Sequence, residues 1–342
     1  MTAVDETTHD LPGGLRSWTS CGGCGAKWPA ADLRELLRRL PLGAGPGSQV
    51  GLAPFDDAAV HALGPDLSLV STTDFFPPLV DDPSDFGAIA AANACSDVFA
   101  MGARVLLALN IAAFPEKFPL AHVDAILTAA SEIVAEAGGY IGGGHTIRNP
   151  EPVFGLAVQG LVENGRHFTK GGARPGDVVV LSKPLGTGLA LAAGDPPSMA
   201  AVTAGMRTLN RVASEALVAR HDQVHAVTDV TGFGLLGHGM EMAERSDATI
   251  RFHAESLPIY PGVLEAARAG IRTGADQRNR DYTAGRVAVT ASEVWEAVAF
   301  DAQTSGGLLA AVAPGVVDEL AEAGFVAIGE VAGFDGVHVR LQ

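Results

Sequence analysis

Residues 85–101 read DFGAIAAANACSDVFAM, and this stretch organises the first half of the chain. Its apolar residues fall on neighbouring rows at helical spacing, which predicts a helix over Asp85–Met101. Apolar runs on both sides of it predict strands, and a second periodic stretch predicts another helix. The strands are Ala58–Leu63, Leu67–Thr73, Val105–Ala112 and Val153–Val162, and the second helix is His122–Ala137. Because helices and strands alternate without a strict β-α-β rhythm, we predict an α+β fold with two layers in each half.

A polar segment with several glycines, Glu163–Pro175, separates this half from a second one. Beyond it, apolar periodicity predicts further strands and helices, and a polar stretch predicts a loop. The strands are Asp177–Leu181, Val224–Val227 and Gly307–Val312, the helices are Met199–Ala219, Leu235–Glu244 and Glu293–Ala299, and the loop is Asp276–Gly285. Near the N-terminus we predict a helix over Pro29–Leu40 and a loop over Leu40–Phe55. The predicted parts are a flexible glycine-rich arm with a first helix (residues 1–46), an N-terminal domain (47–166) and a C-terminal domain (167–342).

The composition is that of a folded, acidic protein. The 342 residues include 39 acidic and 23 basic side chains, which gives a formal net charge of −16 at pH 7. This charge argues against direct nucleic-acid binding, because phosphates are contacted mainly by lysine and arginine. No uncharged stretch reaches the ~20 apolar residues of a membrane span, and the N-terminus does not resemble a signal peptide. The 3 cysteines are too few for a disulfide framework, so we expect a cytoplasmic protein without a membrane partner.

Several acidic residues stand where local structure does not require them. Asp97 lies on the predicted helix, and no basic residue in Ala88–Ala100 is placed to neutralise it. A buried carboxylate is costly unless it is paired or binds a metal, although an exposed helix edge would also explain Asp97. Asp229 lies at a strand–turn–helix junction, where ligands commonly bind. Asp56, Asp57 and Asp74 stand at turns or strand ends, and solvated turn residues and caps remain alternatives for them.

Glycine is concentrated in Gly138–Thr146, with five glycines in seven positions. Backbone N–H groups in such a loop approach phosphate oxygens closely, although a tight turn is the simpler interpretation. The segment matches neither the Gly-Lys-Ser/Thr phosphate loop nor a dinucleotide fingerprint. Together with the carboxylates and the scarcity of cationic residues in these motifs, it favours a site where Mg²⁺ neutralises phosphate charge.

The first cysteines stand in the N-terminal arm. Cys21 and Cys24 have the spacing of half a zinc site, but no second cysteine pair completes it. A dithiol redox pair and an inert thiol are alternatives. We favour a nucleophilic thiol at Cys24, whose ionisation the nearby Lys27 promotes.

Eight strings, in order along the chain, resemble the selenophosphate synthetase (selenide, water dikinase) family. They are CGAK (24–27), DDAAV (56–60), STTDFF (71–76), NACSDVFAMG (93–102), GGHTI (143–147), PEPVFGLAV (150–158), TDVTGFGLLGH (228–238) and QTSGGLL (303–309). The resemblance runs from about residue 15 to the C-terminus.

This resemblance implies the two-domain α+β fold of aminoimidazole ribonucleotide synthetase, thiamine-monophosphate kinase and a hydrogenase maturation factor. It implies homodimers whose N-terminal, ATP-binding domains join their sheets across the two-fold axis. The family converts ATP, selenide and water to selenophosphate, phosphate and AMP, with Mg²⁺ and often K⁺. The product supplies selenium for selenocysteine or selenouridine, with transient hand-off to enzymes that donate or use selenium.

The resemblance also implies roles for individual residues. Cys24 corresponds to the position held by cysteine or selenocysteine in the family, and Lys27 to the lysine that meets the nucleotide phosphates. The implied Mg²⁺ ligands are Asp57, Asp97 and Asp229. The implied ATP-binding residues are Lys27, Phe55, Asp56, Asp74, Asp97, Gly144, His145 and Thr146.

The chain departs from the family pattern at several positions. Phe55 replaces a basic residue, Arg148 stands where an acidic residue is usual, Ala26 replaces a second cysteine of some relatives, and Cys21 is additional. Two alternatives compete with selenophosphate synthesis. A small-molecule kinase like thiamine-monophosphate kinase would form ADP instead of AMP, and a non-catalytic nucleotide-binding protein would bind ATP without turnover. Whether Cys24 carries, deprotonates or positions selenium stays open.

Overall fold

A mixed sheet forms the first half of the protein. The computed structural model describes residues 14–19, 22–23, 36, 45–51 and 56–342. Within these ranges the strands of this sheet are β1 (Ser48–Val50), β2 (Ala59–Ala62), β3 (Leu67–Phe76), β4 (Arg104–Phe114), β5 (Tyr140–Arg148) and β6 (Val153–Glu163). Their order is β1-β2-β3-β6-β4-β5, and the pairs are antiparallel except for β4 with β5.

Two long helices, α1 (Pro83–Ala100) and α2 (Leu120–Glu136), pack together, and α1 lies against β3 and β6. The side chain of Asp82 caps α1 by accepting a hydrogen bond from the backbone N–H of Asp85 at 2.9 Å. A Cβ at Gly87 would lie 2.2 Å from the carbonyl oxygen of Ile126 on α2. The close approach of the two helices therefore depends on a residue without a side chain.

A second mixed sheet forms the other half. In the described part of the chain its strands are β7 (Val178–Leu181), β8 (Val224–Asp229), β9 (Ala248–Phe252), β10 (Val287–Val289), β11 (Leu308–Val312), β12 (Val326–Gly333) and β13 (Val339–Leu341), in the order β10-β13-β9-β12-β7-β11-β8. The helices are α3 (Thr187–Ala193), α4 (Pro196–Arg207), α5 (Arg211–Val218), α6 (Gly234–Arg245), α7 (Val263–Arg268), α8 (Asp276–Thr283), α9 (Glu293–Phe300) and α10 (Val317–Glu322). Short 3₁₀ helices cover Leu15–Trp18, His221–Gln223, Ala254–Ser256 and Pro314–Val316.

One hydrophobic core runs through both halves. It includes Phe86 and Phe154 from the first half and Phe252 from the second, all fully buried. The rings of Phe86 and Phe154 meet edge to face with centroids 6.3 Å apart. Helix α1 also contacts β8 of the second sheet. Because the halves share packed side chains, their relative placement is set by the core rather than by the linker alone.

The predicted α+β class is confirmed, and most predicted elements occur close to their expected bounds. The predicted division at residues 166 and 167 falls between β6 and β7 and stays a prediction. The predicted helix Pro29–Leu40, apart from Leu36, and Cys24, Lys27 and Phe55 lie outside the described residues. None of the helices in the described ranges has the length and apolar character needed to cross a bilayer.

The glycine-rich segment Gly138–Thr146 was predicted as a loop, and this prediction is wrong, because most of it forms β5. The strand pairs in parallel with β4 through an irregular register between Ala108 and Leu109. Gly143 and Gly144 have φ angles of 147° and 153°, and a Cβ at Gly144 would lie 2.4 Å from the carbonyl oxygen of Asn110. Glycine is therefore needed for close strand pairing here.

Three other local predictions are wrong for tertiary reasons. The polar stretch Asp276–Gly285 contains α8, because Asn279 donates buried hydrogen bonds to the carbonyls of Gly232 and Phe300. The single helix predicted over Met199–Ala219 is two helices, α4 and α5. The backbone of Thr208 between them is extended, and Lys183 Nζ donates a hydrogen bond to its carbonyl oxygen at 2.6 Å. The predicted loop Leu40–Phe55 contains β1, which pairs with β2.

Candidate active site

Three carboxylates converge where the two halves meet. Asp57 precedes β2, Asp97 lies in the last turn of α1, and Asp229 ends β8. Each offers an oxygen, and these oxygens all lie within 4.8 Å of one another. The structure thus brings together the three residues that the sequence predicted as metal ligands. We call them the carboxylate triad, and their binding of a metal stays a prediction.

Neighbouring hydroxyl groups orient two members of the triad. Thr72 on β3 donates its hydroxyl to Asp97 Oδ2 at 2.5 Å. Ser96 on α1 donates to Asp229 Oδ2 at 2.6 Å, and Asn210 Nδ2 donates to Ser96 Oγ at 2.9 Å. Asp97 and Ser96 are adjacent on α1, so this helix supplies one triad member and also holds the member from the second half.

Asp57 leaves one oxygen available to a ligand. Its Oδ1 accepts from Thr228 Oγ1 at 3.0 Å and lies 3.0 Å from Lys170 Nζ. Its Oδ2 is buried and has no hydrogen-bond partner among the described residues. A buried polar oxygen without a partner is costly unless a ligand satisfies it. An unpartnered oxygen beside two further carboxylates fits a hard cation such as Mg²⁺, which prefers oxygen ligands.

Burial and mutual repulsion favour protonation of Asp57 and Asp97 when no cation is bound. Burial raises the pKa of Asp57 to about 8, although the charge of Lys170 opposes that shift. Burial, followed by the charges of Asp229 and Asp74, raises the pKa of Asp97 well above its ordinary value. Because Mg²⁺ binds the ionised forms, cation binding at this place would release protons.

Asp56 holds the chain around the triad in place. Its carboxylate accepts from the backbone N–H of Lys170 at 3.0 Å and from that of Asp57 at 3.0 Å. Arg245 Nη1 lies 3.9 Å from Asp56 Oδ2. These contacts position the neighbouring Asp57, and the predicted contact of Asp56 with ATP stays a prediction.

Asp74 was expected after the end of a strand, but it lies within β3, which continues to Phe76. Asn93 Nδ2 on α1 donates to Asp74 Oδ2 at 2.6 Å, and Asn93 Oδ1 accepts from the backbone N–H of Ser305 at 2.8 Å. Ser305 has φ 50°, a left-handed conformation that is strained for a residue with a side chain. A chain of hydrogen bonds therefore links Asp74 to the turn that precedes β11.

The predicted ATP contacts Gly144, His145 and Thr146 are on β5, and their residues are exposed. Two strands, β6 and β4, separate β5 from β3. At ~4.8 Å per strand, these residues lie roughly 14 Å from Asp74 within one chain. Within a single chain, these three residues therefore do not reach the triad.

Two described pieces of the N-terminal arm, residues 14–19 and 22–23, contact the segment that follows β3. Arg16 donates two hydrogen bonds to Asp81 Oδ2 at 2.9 and 2.7 Å, and the N–H of Gly23 donates to the carbonyl of Pro77 at 3.0 Å. A Cβ at Gly23 would lie 2.8 Å from Thr304 Oγ1 of the second half. Cys24 follows this anchored glycine, although Cys24 and Lys27 themselves lie outside the described residues.

Sequence reasoning missed the residues that contact the triad or its partners. They are Thr72, Ser96 and Lys170, then Asn210, which donates to Ser96, and Glu241, whose Oε2 lies 3.1 Å from Lys170 Nζ. Asn93 and Ser96 had a signal, because they are neighbours of Asp97 on one helix. Lys170 had none, since it lies in the segment between the two sheets and reaches Asp57 only in the folded chain.

The comparisons with known proteins cover nearly the whole chain. The family models for AIR synthase related protein match residues 55–162 (N-terminal domain) and 174–341 (C-terminal domain). The chain is 45% identical over 305 residues to selenide, water dikinase of Myxococcus xanthus, covering 87% of each chain. It is 43% identical over 316 residues to selenide, water dikinase of Caldanaerobacter subterraneus, covering 90% of each.

Solved structures share the fold at lower identity. Thiamine monophosphate kinase from Aquifex aeolicus superposes with a TM-score of 0.67 and 18% identity, over 92% of this chain and 96% of that one. A HypE–HypF complex contains a chain with a TM-score of 0.69 and 19% identity, over 91% of this chain and 96% of that one. These likenesses show the fold alone. The curated relatives and the two matching domain models show that the chain belongs to the selenide, water dikinase family of AIR synthase related proteins.

Proposed function

We propose that the chain converts ATP, selenide and water to selenophosphate, phosphate and AMP. The observation that carries this proposal is the carboxylate triad, built from both halves and holding an unpartnered Asp57 oxygen. Curated relatives at 41–45% identity bear the name of that activity. The triad would account for triphosphate binding by an acidic protein, because carboxylates can hold a cation that offsets phosphate charge.

Asp57, Asp97 and Asp229 would hold Mg²⁺, which would offset phosphate charge during phosphoryl transfer. Thr72 and Ser96 keep two of these carboxylates in place through hydrogen bonds of 2.5 and 2.6 Å. K⁺ stays a further prediction for the same reaction.

Cys24 and Lys27 belong to this proposal as the residues that close the site. The placement of Gly22 and Gly23 supports this role. They pack against Pro78 and Leu79, which follow the strand that carries Asp74. From there the arm would position selenide and exclude bulk water while the phosphoryl group transfers.

We include a homodimer in the proposal. Large apolar side chains are exposed on the first sheet, including its edge strand β5: Phe75 (54% exposed), Leu109 (39%), Tyr140 (59%) and Ile147 (58%). An apolar sheet face of this kind marks a protein interface. A second copy on this face would bring the partner's β5 towards the nucleotide, which accounts for the distance between Gly144–Thr146 and the triad. A cytoplasmic location and hand-off to enzymes that use selenium are parts of the same proposal.

The decisive experiment is anaerobic incubation of the full chain with Mg²⁺, ATP and selenide, followed by phosphorus NMR. We expect selenophosphate, phosphate and AMP. Asp97→Asn should abolish turnover, and Cys24→Ser should block selenide-dependent AMP formation while nucleotide binding persists. ADP without selenophosphate would instead support a small-molecule kinase, and ATP binding without turnover would support a non-catalytic protein.

A further inference from the structure

A buried lysine contacts the carboxylate triad directly. Lys170 Nζ lies 3.0 Å from Asp57 Oδ1 and 3.1 Å from Glu241 Oε2, and its side chain is only 6% exposed. Glu241 is held on its other side, because Tyr282 donates its hydroxyl to Oε1 at 2.7 Å. The nearest nitrogen of His238 lies 3.6 Å from Glu241 Oε2. The ammonium group is thus fixed between two carboxylates rather than left to move in solvent.

Lys170 is positively charged in this position. Two carboxylate oxygens lie at ion-pair distance from its nitrogen, and this arrangement favours the ammonium form. Among the basic side chains that the structure describes, Lys170 is the one ion-paired with a triad member. Lys183 also interacts electrostatically with Asp229, but its ammonium group donates hydrogen bonds to the carbonyl oxygens of Thr208 and Ser305.

This charge bears on the cation that the proposed function requires. The triad carries three carboxylates, and Lys170 neutralises part of their charge from the Oδ1 side of Asp57. A fixed positive charge in a buried site repels a second cation strongly, because the effective dielectric constant is far below that of water. The unpartnered Asp57 Oδ2 stays available, but at reduced negative potential.

We propose that Lys170 lowers the affinity of the carboxylate triad for a free divalent cation, so that tight binding requires the phosphates of the nucleotide as additional ligands. This inference rests on the proposed function, since it assumes that the triad is the metal site. A lysine that merely braced the chain around Asp57 would have the opposite effect, because its loss would loosen Asp57 and weaken metal binding. The sign of the change in metal affinity separates the two roles.

The test measures Mn²⁺ binding to the full chain without nucleotide, by electron paramagnetic resonance of free Mn²⁺ and by calorimetry. Lys170→Gln removes the charge, while its amide can still donate hydrogen bonds to Asp57 and Glu241. We expect this variant to bind Mn²⁺ at least tenfold more tightly than the parent. Lys170→Arg keeps the charge and should bind within threefold of the parent. Lys117→Gln removes the charge of an exposed lysine between β4 and α2, and it should also change Mn²⁺ affinity by less than threefold.

If Lys170→Gln does not fold, Lys170→Gln combined with Glu241→Gln decides the question, because no unpaired glutamate then remains. Tighter Mn²⁺ binding by that double variant supports the inference. Equal or weaker binding in the folded variant overturns it.

Asp97→Asn separates this failure from failure of the proposed function. If Asp97→Asn abolishes Mn²⁺ binding while Lys170→Gln leaves it unchanged, only the role of Lys170 is wrong. If Mn²⁺ binding survives Asp97→Asn unchanged, the triad is not the metal site and both proposals fall.

Discussion

Replacing Asp97 with Asn should stabilise the metal-free protein while removing its response to Mg²⁺. The folded pKa of Asp97 is raised well above its ordinary value, by burial and then by Asp229 and Asp74. The folded state therefore holds a proton that the unfolded chain releases near pH 4, and stability is lost as the pH rises towards the folded pKa. Asparagine has no proton to lose, and its carbonyl oxygen can still accept from Thr72.

The magnitude follows from the spacing of the triad. Two ionised carboxylates with oxygens 4.8 Å apart, the upper limit within the triad, repel by about 3 kcal/mol at an effective dielectric constant of ~20. Partial protonation reduces that repulsion, so we expect Asp97→Asn to gain about 1–3 kcal/mol at pH 9 in EDTA and less at pH 5, which is only about one unit above the pKa of the unfolded chain. Saturating Mg²⁺ should stabilise the parent protein but not the variant.

Urea unfolding midpoints at pH 5, 7 and 9, followed by circular dichroism with EDTA or Mg²⁺, measure both effects. Asp124→Asn, on the exposed side of α2, is the matched control and should follow the parent at each pH. A parent protein and Asp97→Asn variant with the same pH dependence in EDTA would refute the electrostatic reasoning. An equal Mg²⁺ response would refute the metal role of Asp97.

Three further outcomes are expected. Ser96→Ala removes the 2.6 Å hydrogen bond to buried Asp229, so it should lower the free energy of unfolding by about 1–3 kcal/mol. It should also raise the Mg²⁺ concentration for half-maximal turnover. An unchanged urea midpoint and an unchanged Mg²⁺ titration would contradict this prediction. Ile147→Asp places a charge on the exposed face of β5 and should convert dimers to monomers in sedimentation velocity, whereas persistent dimers would show that this face is not the interface. Gly87→Ala forces a Cβ against the Ile126 carbonyl and should cost at least about 1–3 kcal/mol by urea unfolding, while the control Gly64→Ala, which has open space, should cost much less.

Local patterns predicted much of the fold and some of the site. The helix α1 and the strands β3, β4 and β6 were found by periodicity, since each has a long apolar pattern. The strand β5 was missed because its glycines satisfy a close pairing with β4 rather than a loop. The helix α8 was missed because its residues are polar and their hydrogen-bond partners cannot be read from the segment. Asn279 donates to the buried carbonyl of Gly232, and within the helix Arg280 lies 2.8 Å from Asp276.

The amino-acid order by itself determined most of the helices and strands, which acids lack a local partner, and the family to which the motifs belong. Those properties depend on spacing within one segment, so they can be read along the chain. Only the tertiary structure decided that Asp57, Asp97 and Asp229 meet, that Ser96 holds Asp229, and that Lys170 neutralises part of Asp57. These contacts join residues far apart in the chain, and they form because the packing of α1 against both sheets brings their side chains into one buried, weakly screened volume.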